Sequence, residues 1–418
     1  MKYTIDDAPN MWNVQYNVLR RANRLIEAVE NNKITDAEKN QANVNNIYAQ
    51  AKSVRALVHF DLVKVYGMPY SFDNGASMGV PIVTTPIDPL NASAIPGRNT
   101  VAEVYTQIVK DLTEAIDSKA LNVSKSAGDN QGFIDEWAAK ALLTRVYIYM
   151  GKNQEALDMA KNIIENSPYS LWTKAQYANA WDKNNANHIN EMIFELVNSG
   201  SDDWADREGI AYLYHEDGYA DAICTKSFVD MLAQDPSDVR LDVILPVQLK
   251  TDDNGKPTDM YKTYGDNRIF INKFPMGSLG DMRLNNLPIL RLSEVYLNAA
   301  EAAAKLNDKT STAKYLNEII KNRTDDTKQL VTESTATLER VLLERRKELV
   351  GEGQRFFDAM RNNETVTRYT NEDEKGWHYS INKESQVFDR TYFRTILPIP
   401  VSETNANPTL KAQQNPGY

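Results

Sequence analysis

Residues 344–363, ERRKELVGEGQRFFDAMRNN, decide how the rest of the chain is read, because acids, arginines and two glycines crowd into one short stretch. It is either an acid/base site or a brace inside a scaffold. Across a predicted helix at 338–350, positions 338, 341, 342, 345 and 349 share one face, and all but Arg345 are Leu or Val. A guanidinium on an apolar face needs a carboxylate, since an unpaired buried charge is strongly destabilising. Glu294 and Glu301 share a face of the preceding predicted hairpin and are the candidates to supply one. Gly351 and Gly353 end the helix, so that Arg355, Phe356, Phe357 and Asp358 can fold back. A catalytic reading would pair Glu348 with Glu352, but the adjacent arginines would hold both ionised, the wrong state for a general acid. The stretch reads as an anchor, with Glu294, Glu301 and Arg345 in structural ion pairs.

Working outward, helical periodicity dominates. Val14, Val18, Leu25, Ile26 and Val29 mark a helix at 12–30, and a second at 45–66 is stopped by Gly67 and Pro69. Thr100 with Glu103 forms a capping-box signature that opens a third. In 138–168, AAKALLTRVYIYMGKNQEALDMAKNIIENSP, the residues Tyr147, Gly151, Ala156, Ala160 and Pro168 fall at tetratricopeptide (TPR) spacing, although Lys140 and Thr144 stand where that pattern prefers Trp and Gly. Further helices are predicted at 291–306, 313–323 and 338–350. The expected fold is mainly α, with about four TPR-like hairpins in a superhelical scaffold at 12–168 and 286–362. An irregular region at 169–285 carries a few short β-hairpins, one of them around Asp253-Asn254-Gly255, and an extended tail spans 363–418, with a strand-like run, TYFRTILPIP, after Phe388.

Composition narrows the function. With 47 Lys+Arg against 57 Asp+Glu the net charge is −10, so a nucleic-acid backbone would be repelled overall. One cysteine, Cys224, rules out an internal disulfide framework and a thiolate metal cluster. No run approaches the ~20 apolar residues of a membrane helix, and a soluble polypeptide is expected. The four histidines show no metal-ligand spacing, so neither a metal nor a cofactor is expected. Gly75-Ala-Ser77-Met-Gly79 fits the expression of a hydrolase nucleophile elbow but lacks the flanking strand and helix.

Several blocks, in order, resemble the SusD/RagB family of outer-membrane nutrient-binding lipoproteins. They include RLSEVYLNAAEAA from Arg291, ERRKELVGEGQRFFDAMR from Glu344 and the ending LPIPVSETNANPTLKAQQNPGY. The segment 12–26, VPI at Val80, AAKALLTRVYIY at Ala138 and EMIFE at Glu191 agree with them. The resemblance implies one SusD-like domain that is not an enzyme. It implies attachment to the extracellular face of the outer membrane through a lipidated cysteine, and capture of glycan, or in some branches peptide, for a SusC-like TonB-dependent transporter. No lipobox cysteine precedes Trp12, so a truncated or engineered chain is inferred, its lipid anchor missing.

Sugar sites combine aromatic platforms with amide, carboxylate and guanidinium groups. Three places have that chemistry: Trp12 with Asn13; Tyr70, Phe72 and Asp73; and Trp204, Arg207, Tyr212, Tyr214 and Tyr219, the most densely aromatic of the three. Trp377 and Tyr379 form a sparser fourth. Two competing readings stand beside the receptor: an intracellular TPR scaffold holding a peptide in its groove, and a hydrolase using Asp202, Asp203 or Glu208.

Overall fold

The computed structural model describes residues 11–86, 96–182, 188–198, 209–214, 218–219, 222–244, 269–274, 281–368 and 382–418. Among them the fold is mainly helical, and its strands form three two-stranded pairs. Helices α1 (Met11–Glu30) and α2 (Gln41–Tyr66) pack as a hairpin, a short α3 (Tyr70–Asp73) follows, and α4 (Val101–Asp117) lies along α2. Thr100 opens α4 as the capping box requires: its Oγ1 accepts the Glu103 N–H at 3.2 Å and its own N–H donates to the Glu103 carboxylate at 2.8 Å.

The TPR-spaced block becomes α5 (Glu136–Met150) and α6 (Asn153–Asn166). Gly151 holds the turn at φ 71°, with the Lys152 N–H reaching back to the Tyr147 carbonyl at 2.9 Å. Twelve of the fifteen residues of α5 are buried, as expected for a helix enclosed on all sides. Its two departures from the repeat pattern are accommodated locally. Lys140 donates to Asn162 at 2.9 Å and the Thr144 hydroxyl to the Lys140 carbonyl at 2.9 Å.

Next come α7 (Lys174–Ala180), β1 (Met192–Leu196), α8 (Ile210–Tyr214), β2 (Ile223–Cys224), α9 (Lys226–Leu232), β3 (Ile269–Phe270) and β4 (Leu287–Arg291). β1 and β4 run antiparallel with Met192 opposite Arg291 and Leu196 opposite Leu287. A second apolar core forms here around Trp172, Trp181, Phe228, Leu232 and Ile244. The hairpin expected around Asp253 lies outside the described residues.

The scaffold resumes with α10 (Leu292–Lys305), α11 (Lys309–Lys321), α12 (Leu338–Glu348) and α13 (Arg355–Arg361). Each scaffold helix packs on the next: α1 on α2, α2 on α4, α4 on α5, α5 on α6, α6 on α10, and α10 on both α11 and α12. Helix α11 begins four residues before the periodicity suggests, because Asp308 caps it by accepting the Ser311 N–H at 3.0 Å.

The charged stretch sits where these parts meet. Glu348, fully buried, takes Arg291 at 2.6 Å and Arg323 at 2.9 Å on one carboxylate oxygen, and Arg323 at 2.9 Å and Arg240 at 3.3 Å on the other. Arg291 and Arg323 also share Glu191, at 2.8 and 3.2 Å. Glu352 holds Arg291 at 2.8 Å and bonds Lys273, while Glu344 lies 2.6 Å from Arg240 and 2.5 Å from Arg340. Burial alone would raise the Glu348 carboxyl, but Arg323, Arg291 and Arg240 outweigh it and hold the group well below the usual range. The same opposition holds Glu344 at about 2 and lowers Glu352. These carboxylates bind α12 to β4, the end of α11 and the loop-rich region.

Arg345 donates from Nε to Asp358 at 2.7 Å and from Nη1 to Asn298 at 2.7 Å, and it meets Glu294 at 3.5 Å. Glu294 accepts Arg145 of α5 at 2.7 and 2.5 Å. Glu301 is engaged instead by Arg361, 2.7 Å from its Nη2, and by Lys305 at 2.7 Å.

Acid should loosen this framework. Glu344 has a depressed pKa in the folded state, so its contribution is complete above the ordinary value of about 4.5 and is lost as pH falls through about 2. Stability measured by denaturant unfolding is expected to decline steadily from about pH 5 towards pH 2. A flat profile over that interval would contradict the arrangement.

The tail is not the extended segment expected from its sequence. After a two-residue pairing of β5 (Val366–Thr367) with β6 (Val387–Phe388), it forms α14 (Val401–Ala406) and α15 (Pro408–Ala412). TYFRTILPIP makes no strand, since Pro398 and Pro400 have no N–H to donate to a ladder. Its Leu397 N–H satisfies the Val65 carbonyl at 2.9 Å, and Asn415 donates to the Tyr66 carbonyl at 2.9 Å, closing the end of α2.

Candidate functional site

Helix α8 is one turn long, so its side chains diverge. Tyr214 turns inward and stacks on Phe274, with ring centroids 5.6 Å apart and planes at 15°. Tyr212 faces the other way. The chain then doubles back: the Tyr219 N–H donates to the Tyr212 carbonyl at 2.7 Å and the Ala222 N–H to the Leu213 carbonyl at 3.0 Å. Tyr219 thereby comes beside Tyr212, with centroids 5.6 Å apart and planes at 41°, and remains 51% exposed. Two phenol rings, one half-buried and one open, make a broad apolar surface with hydroxyls at its edge.

Gly218 permits this return. A Cβ there would lie 2.5 Å from the Tyr212 carbonyl oxygen and 2.8 Å from its Cα, both backbone atoms that cannot yield without moving the helix. Gly218→Ala is expected to cost about 1–3 kcal/mol and to separate the two rings. Denaturant unfolding measures the first, and tyrosine side-chain NMR contacts between 212 and 219 the second.

The polar surround comes from the turn before β4, on which α8 packs. Asp281 orients the Arg283 guanidinium through contacts of 2.9 Å at Nε and 2.5 Å at Nη2, and both side chains are about a quarter exposed. That hydrogen bonding, with the negative potential of Asp281 and Tyr212, raises the Arg283 pKa. Asn198 donates to the Asn285 carbonyl at 2.7 Å and its N–H to Asn286 Oδ1 at 3.1 Å. Asn286 in turn donates to Glu195 at 2.8 Å, whose other oxygen lies 2.6 Å from His188 Nδ1. An open ring face and an oriented fork of donors can together match the C–H faces and hydroxyls of a sugar, while the asparagines, their amides bonded within the protein, hold the turn in place.

The other nominated residues divide. Trp12 is no platform: it is 3% exposed, tilted against Tyr16 and edge-on to Tyr66, because its helix face points into the scaffold core. Asn13 beside it is exposed. On α3, Tyr70 is half-buried edge-on to Tyr105, while Phe72 is 40% exposed beneath the Arg390 guanidinium, 5.5 Å from its ring centre. Asp73 accepts the Ser77 hydroxyl. This second aromatic patch rests on α5 and α13, whereas the Tyr212–Tyr219 pair rests on the turn before β4. Trp204 and Arg207 lie outside the described residues, as do Asp202, Asp203, Glu208, Trp377 and Tyr379. Sequence reasoning did not single out Asp281 and Arg283, nor the contacts of Asn198, Asn285 and Asn286 that hold this turn. The adjacent pair Asn285-Asn286 ahead of an apolar strand was the available signal.

No acid/base pair is available in the anchor, since Glu348 is buried, the Glu352 side chain is only 8% exposed, and both are held ionised. Among the described residues no group of three or more His, Cys, Asp or Glu side chains could hold a metal, and no helix is long and apolar enough to cross a membrane. His59 is a packing residue. Burial lowers it to about 4, and its Nε2 accepts the Val83 N–H at 3.2 Å.

Residues 119–418 match the SusD family, and residues 1–148 match a SusD-like family described as starch-binding and associating with the outer membrane. The chain belongs to the SusD family. Its fold is similar to that of a SusD superfamily protein from Bacteroides thetaiotaomicron, with 38% identity and a TM-score of 0.83 over 97% of this chain and 85% of that one. It is also similar to a putative sugar binding protein from Bacteroides vulgatus, with 36% identity and a TM-score of 0.84 over 100% of this chain and 87% of that one. SusD-like protein P25 of Formosa agariphila is 23% identical over 97% of this chain and 79% of its own length. The TPR-like stack is thus the SusD scaffold, and α8 with the turn before β4 is carried on it.

Proposed function

We propose that this SusD-family chain is a non-catalytic receptor at the outer surface of the outer membrane. It captures an oligosaccharide on the Tyr212–Tyr219 platform and delivers it to a SusC-like TonB-dependent transporter. The observation that carries the reading is the exposed Tyr219 ring braced by Tyr212 next to the Asp281-oriented guanidinium of Arg283. The sugar-binding description of the Bacteroides vulgatus protein and the starch-binding description of the family matching residues 1–148 support a glycan over a peptide. The ionised, buried state of the anchor carboxylates supports binding without bond cleavage.

Calorimetry against a panel of neutral oligosaccharides tests this. A glycan that binds should lose about tenfold or more in affinity with Tyr219→Ala, because one stacked ring contributes about 1–1.5 kcal/mol beyond its area. The thermal midpoint should hardly move, the ring being exposed. Silence across the panel, preferential binding of peptides, or release of shortened sugars from the bound glycan would each overturn the proposal.

A further inference from the structure

The two parts of the proposed sugar site lie on separate segments, the rings on α8 and its return and the guanidinium on the turn before β4. Beneath the surface, both segments lead to the same buried indole. On the turn side, Asn286 donates to one oxygen of Glu195 at 2.8 Å, and the other oxygen lies 2.6 Å from His188 Nδ1. A carboxylate only accepts, so the imidazole is the donor. His188 Nε2 is buried without a hydrogen-bond partner among the described residues, which leaves Glu195 as the group that orients the ring. The imidazole packs across Trp181, with centroids 5.4 Å apart and planes at 62°.

On the ring side, Tyr214 carries α8 inward onto Phe274, and Phe274 meets the same indole with centroids 6.3 Å apart and planes at 65°. Lys273 places its ammonium 5.1 Å from the centre of the Trp181 ring and donates to the Glu348 carbonyl at 2.7 Å, which ties this junction to the charged anchor. Trp181 is 1% exposed and edge-on to Trp172 at 5.7 Å. In a close-packed interior a side chain cannot shift without moving its neighbours. Asn286, Glu195, His188, Trp181, Phe274 and Tyr214 therefore form a continuous relay from one half of the site to the other.

We propose that this relay sets the separation of ring face and guanidinium, with Glu195 and His188 as positioning residues for the bound glycan. The inference rests on the Tyr212–Tyr219 platform being a sugar site. Glu195 is the link whose chemistry can be exchanged at nearly constant shape. Asn286→Asp sets a second carboxylate against it. Adding Glu195→Gln supplies a donor to that carboxylate, while the amide oxygen still accepts from His188.

The test compares these two variants with the unaltered full chain. Calorimetry with a glycan that binds the unaltered chain should give about tenfold weaker binding for Asn286→Asp, and recovery when Glu195→Gln is added. Asn286→Ala, which deletes the donor without adding charge, should weaken binding in the same direction. With no sugar present, the assigned indole N–H resonance of Trp181 should shift in Asn286→Asp and return in the double variant, although Glu195 and His188 stand between the two residues. Weakening that the second change fails to reverse, or a resonance indifferent to both changes, would overturn the proposal. If no glycan binds the unaltered chain, the platform falls and the resonance alone decides the relay. If Tyr219→Ala weakens binding but Asn286→Asp does not, the relay falls and the platform stands.

Discussion

Glu348→Ala should cost the fold about 3–5 kcal/mol, because removing one member of a buried charged network leaves its partners desolvated and unpaired. Three guanidinium groups, those of Arg291, Arg323 and Arg240, converge on this carboxylate and cannot reach water without opening the structure. Glu191 and Glu352 would retain part of Arg291, and Asp238 and Glu344 part of Arg240, so the loss falls most heavily on Arg323. Thermal and denaturant unfolding should be compared with Glu339→Ala, an exposed position on the same helix where the change should stay within about 0.5 kcal/mol. Hydrogen exchange should rise first in 222–244 and 269–274, which the network ties down through Arg240 and Lys273. Equal stability of the two variants would show that packing alone, without charge, holds α12 in place.

Arg361→Leu should be nearly as severe, at about 3 kcal/mol. Its guanidinium grips Glu301 and Asp358 and lies 5.1 Å from the centre of the Tyr149 ring, all in the interior. Burial alone would raise the Glu301 carboxyl, but Arg361 and Lys305 hold it far below the usual range, so loss of Arg361 leaves it with the partly exposed Lys305 alone. Helix α13 contains its own control. Arg355 also forms an ion pair, at 2.7 Å from Glu364, but its side chain is 40% exposed, so Arg355→Leu should change stability by at most about 1 kcal/mol. Similar losses for the two arginines would contradict burial as the source of the difference.

What could be read in the residues was what repeats locally. Helical spacing gave the hairpins, the capping box gave the start of α4, and an arginine among leucines gave away a buried ion pair before its partners were known. Those partners were less accessible. The glycines announced that Asp358 folds back, yet nothing in the spacing says that it meets the Arg345 guanidinium. Arg240, Arg291 and Arg323 reach Glu348 from three separate segments, a convergence that only the tertiary fold creates. Trp12 was misplaced because a tryptophan on the first turn of a helix has the same local pattern whether its face meets solvent or core. The aromatic pair was legible as composition, but Arg283 was not, since only the packing of α8 on the turn before β4 brings that guanidinium near Tyr212.

The stapling of Tyr66 by Asn415 has a consequence for how the molecule is made. Two groups separated by most of the polypeptide complete one helix end, and Arg98 adds a further bond to the same carbonyl at 3.0 Å. Pairings so distant along the chain raise contact order and delay the final step of folding. The early hairpins can stack by themselves, but the end of α2 gains its Asn415 bond only when that distant segment docks. The rate at which this end of α2 closes should therefore be governed by residues 396–418.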